Sequence, residues 1–207
     1  MATKEINFVK LCGSREDFIK VAEKTMGSAA FQNLKEGKSV LTDFALYSVR
    51  ALESNSNLDL MLASDAKEYG LTNINARKLG SGEYMLVKGI QLLKATGVTA
   101  SDKTTLKKAD FGVIDAQIAN GELEIKMGDK LFLSRTSCEM FRSPASRDSL
   151  VGYVALDAPK MILPQCEIVP TLYMPVAYAN ESGDTDAAKA TRVAVKIVFY
   201  GVKTQGV

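Results

Sequence analysis

ELEIKMGDKLFLS, residues 122–134, is the stretch of this sequence that decides its fold. In its first six residues, charged and apolar side chains alternate, which is the period-two pattern of a strand with one buried face. Gly128 and Asp129 then form a two-residue loop with glycine first, as a type II′ turn requires. Residues 130–134 return as the partner strand, so the stretch predicts an antiparallel hairpin.

Further strand signals lie on both sides of this hairpin. The strongest is RVAVKIVFY (192–200), in which every second residue from Val193 to Phe199 is apolar and defines one face. A long strand is predicted at 84–93 and a short one at 151–156. The apolar positions of 38–52 fit both the helical and the strand period, and its β-branched and aromatic residues favour a strand. Gly89, inside the long strand, indicates a β-bulge or a close approach of another part of the chain.

Four prolines recur at near-regular intervals in the region that follows, as Pro159, Pro164, Pro170 and Pro175. Because proline cannot donate a hydrogen bond to a ladder, each is expected at a strand end or on an edge strand. They are therefore predicted to divide the region into the very short strands 161–163, 166–169 and 172–174.

The first 37 residues predict helix rather than strand. Ser14 suits a helix N-cap and is followed by two carboxylates, which the positive end of a helix dipole favours. Apolar residues then recur at helical spacing, as Phe18, Val21, Ala22 and Met26. Gly27 is expected to end this helix, and a second short helix is predicted over 29–35, ending at Gly37.

These signals together predict a mainly β protein, an antiparallel β-sandwich of the single jelly-roll type with an N-terminal helical arm. The arm is assigned to residues 1–37 and the sandwich to residues 38–207. Strands do not alternate with long helices, which argues against a doubly wound α/β fold.

Composition excludes several classes of function. The chain has 207 residues, with 26 Lys and Arg against 24 Asp and Glu, and it contains no histidine. The usual general base of Ser-His-Asp and Cys-His catalysis and the commonest zinc ligand are therefore missing. A net charge of +2 disfavours a dedicated nucleic-acid binder. We expect a protein that is not an enzyme, with no catalytic, cofactor-binding or metal-binding residues.

The number and spacing of the cysteines and the hydropathy of the chain indicate in which cellular compartment the protein is expected. The three cysteines, Cys12, Cys138 and Cys166, are odd in number and widely spaced, which predicts free, mostly buried thiols in a reducing compartment. No apolar run approaches the roughly 18–20 residues that cross a bilayer. The first residues lack the layout of a signal peptide, so neither a membrane span nor an export route is expected.

Three short motifs resemble functional signatures without their context. Residues 37–39 (GKS) end like a phosphate-binding loop, but Gln32 occupies the position of the required first glycine. Residues 110–112 (DFG) lack the other kinase motifs and predict a turn before a helix. A short helix is predicted over 109–119. Residues 180–182 (NES) match a glycosylation site that the chain has no route to use.

Charged groups supply the remaining candidate sites. The carboxylates Glu122, Glu124 and Glu139 suit an acid/base pair, although a solvated hairpin face explains the first two more simply. An oxygen-ligand calcium site is a weaker candidate at Glu181, Asp184 and Asp186. An anionic partner is a candidate ligand for Arg135, Arg142 and Arg147, against the simpler explanation of a solvated loop.

Three segments resemble coat proteins of tailless bacteriophages with jelly-roll capsid subunits. They are GLTNINARKLGSGEYMLVKGIQLL (70–93), ADFGVIDAQIANGELEIKMGDKLFL (109–133) and RVAVKIVFYGV (192–202). In that family an asparagine-rich segment leads into a strand, a short helix and an N-G-E turn open a hairpin, and the closing strand ends in aromatic-Gly. The resemblance rests on this layout and spans roughly residues 70–201, with gaps.

The resemblance implies a structural protein of the virion that is assembled in the host cytoplasm. Its partners would be copies of itself and other virion proteins, with a weak contact to the viral genome through local arginines. Methionine and aromatic residues within 159–178 are candidates for an interface between copies. A core beneath edge strands explains them more simply.

Two other functions compete with this one. A ligand- or carbohydrate-binding sandwich is the main alternative, although the absence of tryptophan and an aromatic content of 7% disfavour it. A hydrolase that uses paired carboxylates or a cysteine is the other, with Glu139 and Cys138 as the residues to test.

Overall fold

A computed structural model describes residues 14–52, 56–99, 102–143, 150–176 and 191–206 of the protein. The chain is mainly β, with 49% strand and 20% helix, and its strands form two antiparallel four-stranded sheets. The predicted β-sandwich is therefore confirmed. The strands are β1 (Ser39–Ala51), β2 (Asn57–Asp59), β3 (Met85–Thr99), β4 (Glu122–Met127), β5 (Lys130–Ser137), β6 (Tyr153–Ile162), β7 (Ile168–Tyr173) and β8 (Thr191–Gly206).

The order of the strands is that of a jelly roll. One sheet has the order β1-β8-β3-β6 and the other has the order β2-β7-β4-β5. The first strand thus pairs with the last, the second with the seventh, the third with the sixth and the fourth with the fifth. This nested pairing is what results when one long antiparallel hairpin is rolled into two facing sheets.

Consecutive strands run in opposite directions, so their connections fall at two opposite ends of the sandwich. We call the first the α4 end, after the short helix α4 (Ala116–Ala119) that lies there. The connections 52–56, 102–121, 138–152 and 174–190 begin or finish at this end. Backbone hydrogen bonds join them there, from Met174 to Ser56 and from Cys138 to Gly121. We call the second the Arg77 end, made of 60–84, 128–129 and 163–167. It is joined by a bond from Gly128 to Glu167.

The core lies between the two sheets. Alternation along β4 and β8 turns Leu123, Ile125, Ile197 and Phe199 inward, and all four are fully buried. The predicted hairpin is confirmed, because β4 pairs with β5 across the loop of Gly128 and Asp129. Gly128 has a φ of +55°, and Asp129 is not among the residues with positive φ, as a type II′ turn requires.

Two helices, α1 (Arg15–Thr25) and α2 (Ser28–Lys35), form the described part of the arm. Ser14 caps α1 as predicted, in a reciprocal capping box with Asp17. Phe18 and Ala22 of α1 are fully buried against Leu86, Met161 and Val202. The arm therefore packs on the outer face of the β1-β8-β3-β6 sheet.

Short helices occupy the long connection between β3 and β4. They are α3 (Lys103–Lys108) and α4 (Ala116–Ala119), and a 3-10 helix (Cys138–Phe141) follows β5. A helix over 109–119 was expected from the sequence, but only its last four residues are helical. Gly112 instead bridges to Lys94 of β3, which holds the preceding residues extended.

The prediction that prolines divide 159–174 into very short strands is wrong. β6 runs through Pro159 and β7 runs through Pro170. Pro159 lies on β6, which is an edge strand. It is one of the extra residues of β6 at the bulge where the register between β6 and β3 shifts. The carbonyl of Pro170 accepts from Leu60, just beyond the end of the three-residue strand β2. The N–H that Pro170 lacks would have pointed to the same side as this carbonyl, toward residue 60, where the ladder between β2 and β7 has already ended.

Candidate functional site

The candidate carboxylates do not form an acid/base pair in this structure. Glu122 pairs with Arg135 at 3.6 Å, Glu124 with Lys126 at 3.0 Å, and Glu139 with Arg142 at 3.7 Å. A hydrogen bond from Lys126 is the main reason that the pKa of Glu124 lies below its usual range. Each of the three carboxylates is thus engaged with a cation, and the geometry provides no acid/base pair.

The outer face of the β2-β7-β4-β5 sheet is polar. On this face, near the α4 end, the guanidinium of Arg135 stacks on the ring of Tyr173, 3.8 Å from the ring centroid. The Tyr173 hydroxyl donates to Glu124 at 3.3 Å. Arg135 is exposed although it is engaged on the sheet, and Arg142, which follows the 3-10 helix, is exposed too and pairs with Glu139.

Several other candidates lie outside the described residues, namely Cys12, Arg147, the glycosylation-like residues 180–182, and the calcium candidates Glu181, Asp184 and Asp186. Within the described residues, no group of three or more acidic or cysteine side chains is arranged to hold a metal ion.

The GKS motif lies at a chain turn, whereas the DFG motif lies in an extended segment, so the turn predicted there is not formed. Gly37 has a φ of +73° and links the end of α2 to the start of β1. The GKS residues therefore follow a helix instead of leading into one, the reverse of a phosphate-binding loop. In the DFG residues, Phe111 lies 5.6 Å from the ammonium of Lys196, and Gly112 bridges to Lys94.

Cys138 lies in surroundings that disfavour the thiolate form. Its side chain is fully buried, and that burial raises its pKa to about 12. Since the thiolate is the nucleophile, this environment does not support cysteine catalysis.

We expect that the double variant Cys12→Ser/Cys166→Ser, whose remaining thiol is Cys138, will show no rapid reaction with a disulfide reagent at pH 8. One thiol should react once the protein is unfolded in denaturant. Stopped-flow absorbance of the released thiolate measures both. A fast native reaction would contradict the buried position of Cys138.

The methionines between 159 and 178 belong to the interior. Met161 packs under the arm and Met174 lies in the main core, with exposed fractions of 7% and 4%. Large apolar side chains are exposed elsewhere. Val113, Met140 and Val176 lie at the α4 end, where Gln117 of α4 donates to the carbonyl of Val176.

The free edge of β1 is covered over part of its length by a side chain. The amide of Asn73 accepts from the backbone of Tyr47 at 2.9 Å and donates to the carbonyl of Ala45 at 2.7 Å. It thereby imitates a neighbouring strand and blocks pairing at this point. This contact of Asn73 with β1 follows from the tertiary fold.

A cleft of about 470 Å³ opens at the Arg77 end between β1, β8 and the segment 73–80. We call it the Lys203 cleft. Its apolar side chains are Phe44, Leu46, Ile74 and Leu79, and its charged ones are Lys67, Lys78, Glu83 and Lys203. The Lys203 ammonium lies 4.4 Å from the Phe44 ring centroid and 2.8 Å from Glu83.

A smaller cleft of about 320 Å³ lies beside β1, nearer the α4 end. Its cations and anions are matched. Arg50 lies 3.6 Å from Asp65, and Lys103 lies 2.6 Å from Glu68. The charges of this cleft are thus paired internally.

Comparisons with protein-family models, with curated proteins and with solved structures found no match to this chain. Among the described residues, no helix is long and apolar enough to cross a membrane. The strand order and the packing of the arm define the structural class of the chain, a jelly-roll sandwich with a helical arm on one face.

Proposed function

We propose that the chain is a structural subunit of a virion, which associates with copies of itself and with other virion proteins in the host cytoplasm. The observation that carries the proposal is the strand order β1-β8-β3-β6 and β2-β7-β4-β5. Eight-stranded jelly rolls with this double-sheet layout are used by viral capsids. Cupins and lectins use jelly rolls too, but this chain has no histidine and no tryptophan.

The surface supports association at the α4 end. Val113, Met140 and Val176 are exposed by 42%, 42% and 66% on connections that meet there. Exposed apolar side chains that lie together are typical of contact surfaces between proteins. Contact with the viral genome is assigned to exposed arginines such as Arg142, since a net charge of +2 supplies no bulk basic field.

Assembly of the purified protein tests the proposal. Expressed in a bacterial cytoplasm and purified with reductant, the protein is expected to form closed oligomers or particles in negative-stain images. Val176→Asp should shift the mass distribution measured by light scattering toward the monomer, because a charge would then be buried in the contact. Leu131→Asp is the matched control, since Leu131 is also exposed but lies on β5.

A monomer at every concentration would overturn the proposal. Oligomers that resist Val176→Asp as well as Leu131→Asp would contradict the assignment of the contact to the α4 end.

A further inference from the structure

The backbone groups of β1 alternate between its partner strand β8 and its free edge. Tyr47 and Val49 bond on the free-edge side, to Asn73 and Leu71 respectively. Odd-numbered residues of β1 therefore direct their N–H and C=O groups away from β8, whereas even-numbered residues bond to β8. This alternation is unbroken, because the register between β1 and β8 does not shift over the 13 residues of β1.

The free edge of β1 is open over residues 39–44, which we call the open edge. In the part of the chain that the structure describes, no group bonds to the edge-facing backbone of Ser39, Leu41 or Asp43. None of the residues of the open edge is buried. A straight and uncovered edge of this kind is a template for pairing with a further strand.

The other three edge strands of the described sheets are protected against such pairing. β2 has only 3 residues. β5 shifts its register against β4 at two points, and the Lys160 ammonium donates to its Phe132 carbonyl. β6 contains Pro159 and a bulge. Short strands, bulges, prolines and lysines are the usual means of blunting an edge, and the open edge of β1 has none of them.

We propose that the open edge pairs antiparallel with the open edge of a second copy of this chain, about a two-fold axis at Leu41. The choice of a second copy rests on the proposed function, in which copies of the chain associate. In this register Leu41 lies opposite its own counterpart and Ser39 lies opposite Asp43. Each such pair exchanges two backbone hydrogen bonds, so the three pairs form about six. The two β1-β8-β3-β6 sheets then become one continuous sheet.

The position of the axis follows from the backbone groups that are free. An axis one residue earlier would place Asp43 opposite Gly37, which lies outside the strand. An axis one residue later would place Ser39 opposite Ala45, whose carbonyl already accepts from Asn73. The proposed axis uses every edge-facing group between residues 39 and 43.

The side chains of the open edge complement those of a second copy. Leu41 meets Leu41 of the second copy on the outer face of the sheet, beside the apolar cluster under the arm. The Ser39 hydroxyl lies opposite the Asp43 carboxylate and is a donor for it. The two Asp43 carboxylates are four residues out of step, about 13 Å along the strands, where salt screens their repulsion. Val40, which is 44% exposed, lies opposite Thr42 of the second copy.

Cysteine cross-linking tests this pairing. In the Cys12→Ser/Cys166→Ser background, Leu41→Cys places two thiols opposite each other, with Cα atoms about 5.5 Å apart, a separation that a disulfide spans. Brief mild oxidation should convert most of the protein into a disulfide-linked dimer on a non-reducing gel. Ser39→Cys and Asp43→Cys are matched controls on the same edge. Neither should cross-link alone, because identical positions lie about 13 Å apart, but a mixture of the two should.

Asp43→Pro tests the backbone hydrogen bonds of the contact. The Asp43 N–H points to the free edge, so proline there removes two bonds across the axis and none to β8. We expect it to slow the cross-linking of Leu41→Cys at least tenfold, with an unchanged circular dichroism spectrum. Asp43→Asn is the control, since it keeps the N–H, and it should leave the rate within about twofold.

Three outcomes would overturn the pairing: no cross-link in Leu41→Cys, a cross-link in Ser39→Cys alone that forms as fast, or an Asp43→Pro rate equal to that of Asp43→Asn. The test is separable from that of the proposed function. Particles without the Leu41→Cys cross-link would overturn the pairing alone. A cross-link that persists in Val176→Asp, when that variant no longer forms larger oligomers, would support the pairing as a contact distinct from the α4 end.

Discussion

Replacing Gly201 with alanine is expected to lower the free energy of unfolding by about 3 kcal/mol. Gly201 lies on β8, the strand between β1 and β3, where a side chain would point into the backbone of β3. An added Cβ would lie 2.8 Å from the carbonyl carbon of Leu86 and closer still to its oxygen. Backbone cannot rotate away as a side chain does, so β3 and β8 would have to separate.

The close approach results from a β-bulge. Leu86 and Val87 pair with Val202 and Gly201, but the next pair is Gly89 with Tyr200, so Lys88 is an extra residue on β3. Gly89 shows a related approach, in which the ring of Tyr153 occupies the space of a side chain. A ring can move where a backbone cannot, and we therefore expect Gly89→Ala to cost less than Gly201→Ala.

Urea unfolding followed by circular dichroism measures the effect of Gly201→Ala. With a slope of about 2 kcal/mol per M, the midpoint should fall by about 1.5 M. Gly206→Ala is the matched control, since it lies on the same strand with nothing within 4 Å of an added Cβ. Its effect should stay within about 0.5 kcal/mol. Equal stability of the two variants would show that β3 and β8 do not approach closely at Gly201.

The features that the sequence predicts correctly are those encoded by local pattern. Strands β4 and β8 carry apolar residues at every second position, and in each of them this predicted face is buried. The Ser14 cap and the spacing of Phe18 and Ala22 define α1 in the same way. Gly89 was predicted to mark a bulge or a close approach, and it marks both.

The wrong proline prediction and the unpredicted contact of Asn73 concern residues whose role depends on neighbours distant in sequence. Pro170 is tolerated in β7 because β2 ends beside it, and nothing near residue 170 shows that β2 has only three residues. Asn73 shields the edge of β1, which requires β1 to be an edge strand. The local sequence is compatible with a strand that ends at Pro170 and with one that continues through it, and with an Asn73 that does or does not contact β1. The pairing of strands that are distant in sequence decides both cases.

The Lys203 cleft was missed for the same reason. Lys67, Lys78 and Lys203 come from two distant parts of the chain and match no motif. Each of them alone is an ordinary surface lysine in the sequence. Only the pairing of β8 with β1 and β3, and the anchoring of Arg77, brings them to one cleft.

Phe18→Asp is expected to release the helical arm from the sandwich. Phe18 is fully buried on the outer face of the β1-β8-β3-β6 sheet. Truncating a buried phenylalanine costs about 3–5 kcal/mol, and a buried charge without a partner adds to this. Since the described arm touches the sandwich through one apolar cluster, this loss should exceed the free energy that holds the arm in place.

Ile19→Asp is the matched control for this release. It places the same charge in the neighbouring position of α1, where the side chain is already 45% exposed. In Phe18→Asp, trypsin should cleave rapidly at the exposed Lys20 and Lys24, and a fluorescent apolar dye should bind the uncovered Leu86, Met161 and Val202. Ile19→Asp should do neither, because it leaves the buried contact intact.

The behaviour of the sandwich after release tests the predicted boundary between residues 37 and 38. The main core between the sheets contains no described residue of the arm, so the β signal in circular dichroism should persist in Phe18→Asp while the arm is digested. Loss of that signal would mean that arm and sandwich fold as one unit and that the boundary is wrong. Identical behaviour of the two variants would instead contradict the packing of α1 on the sheet, because only one of the two positions is buried.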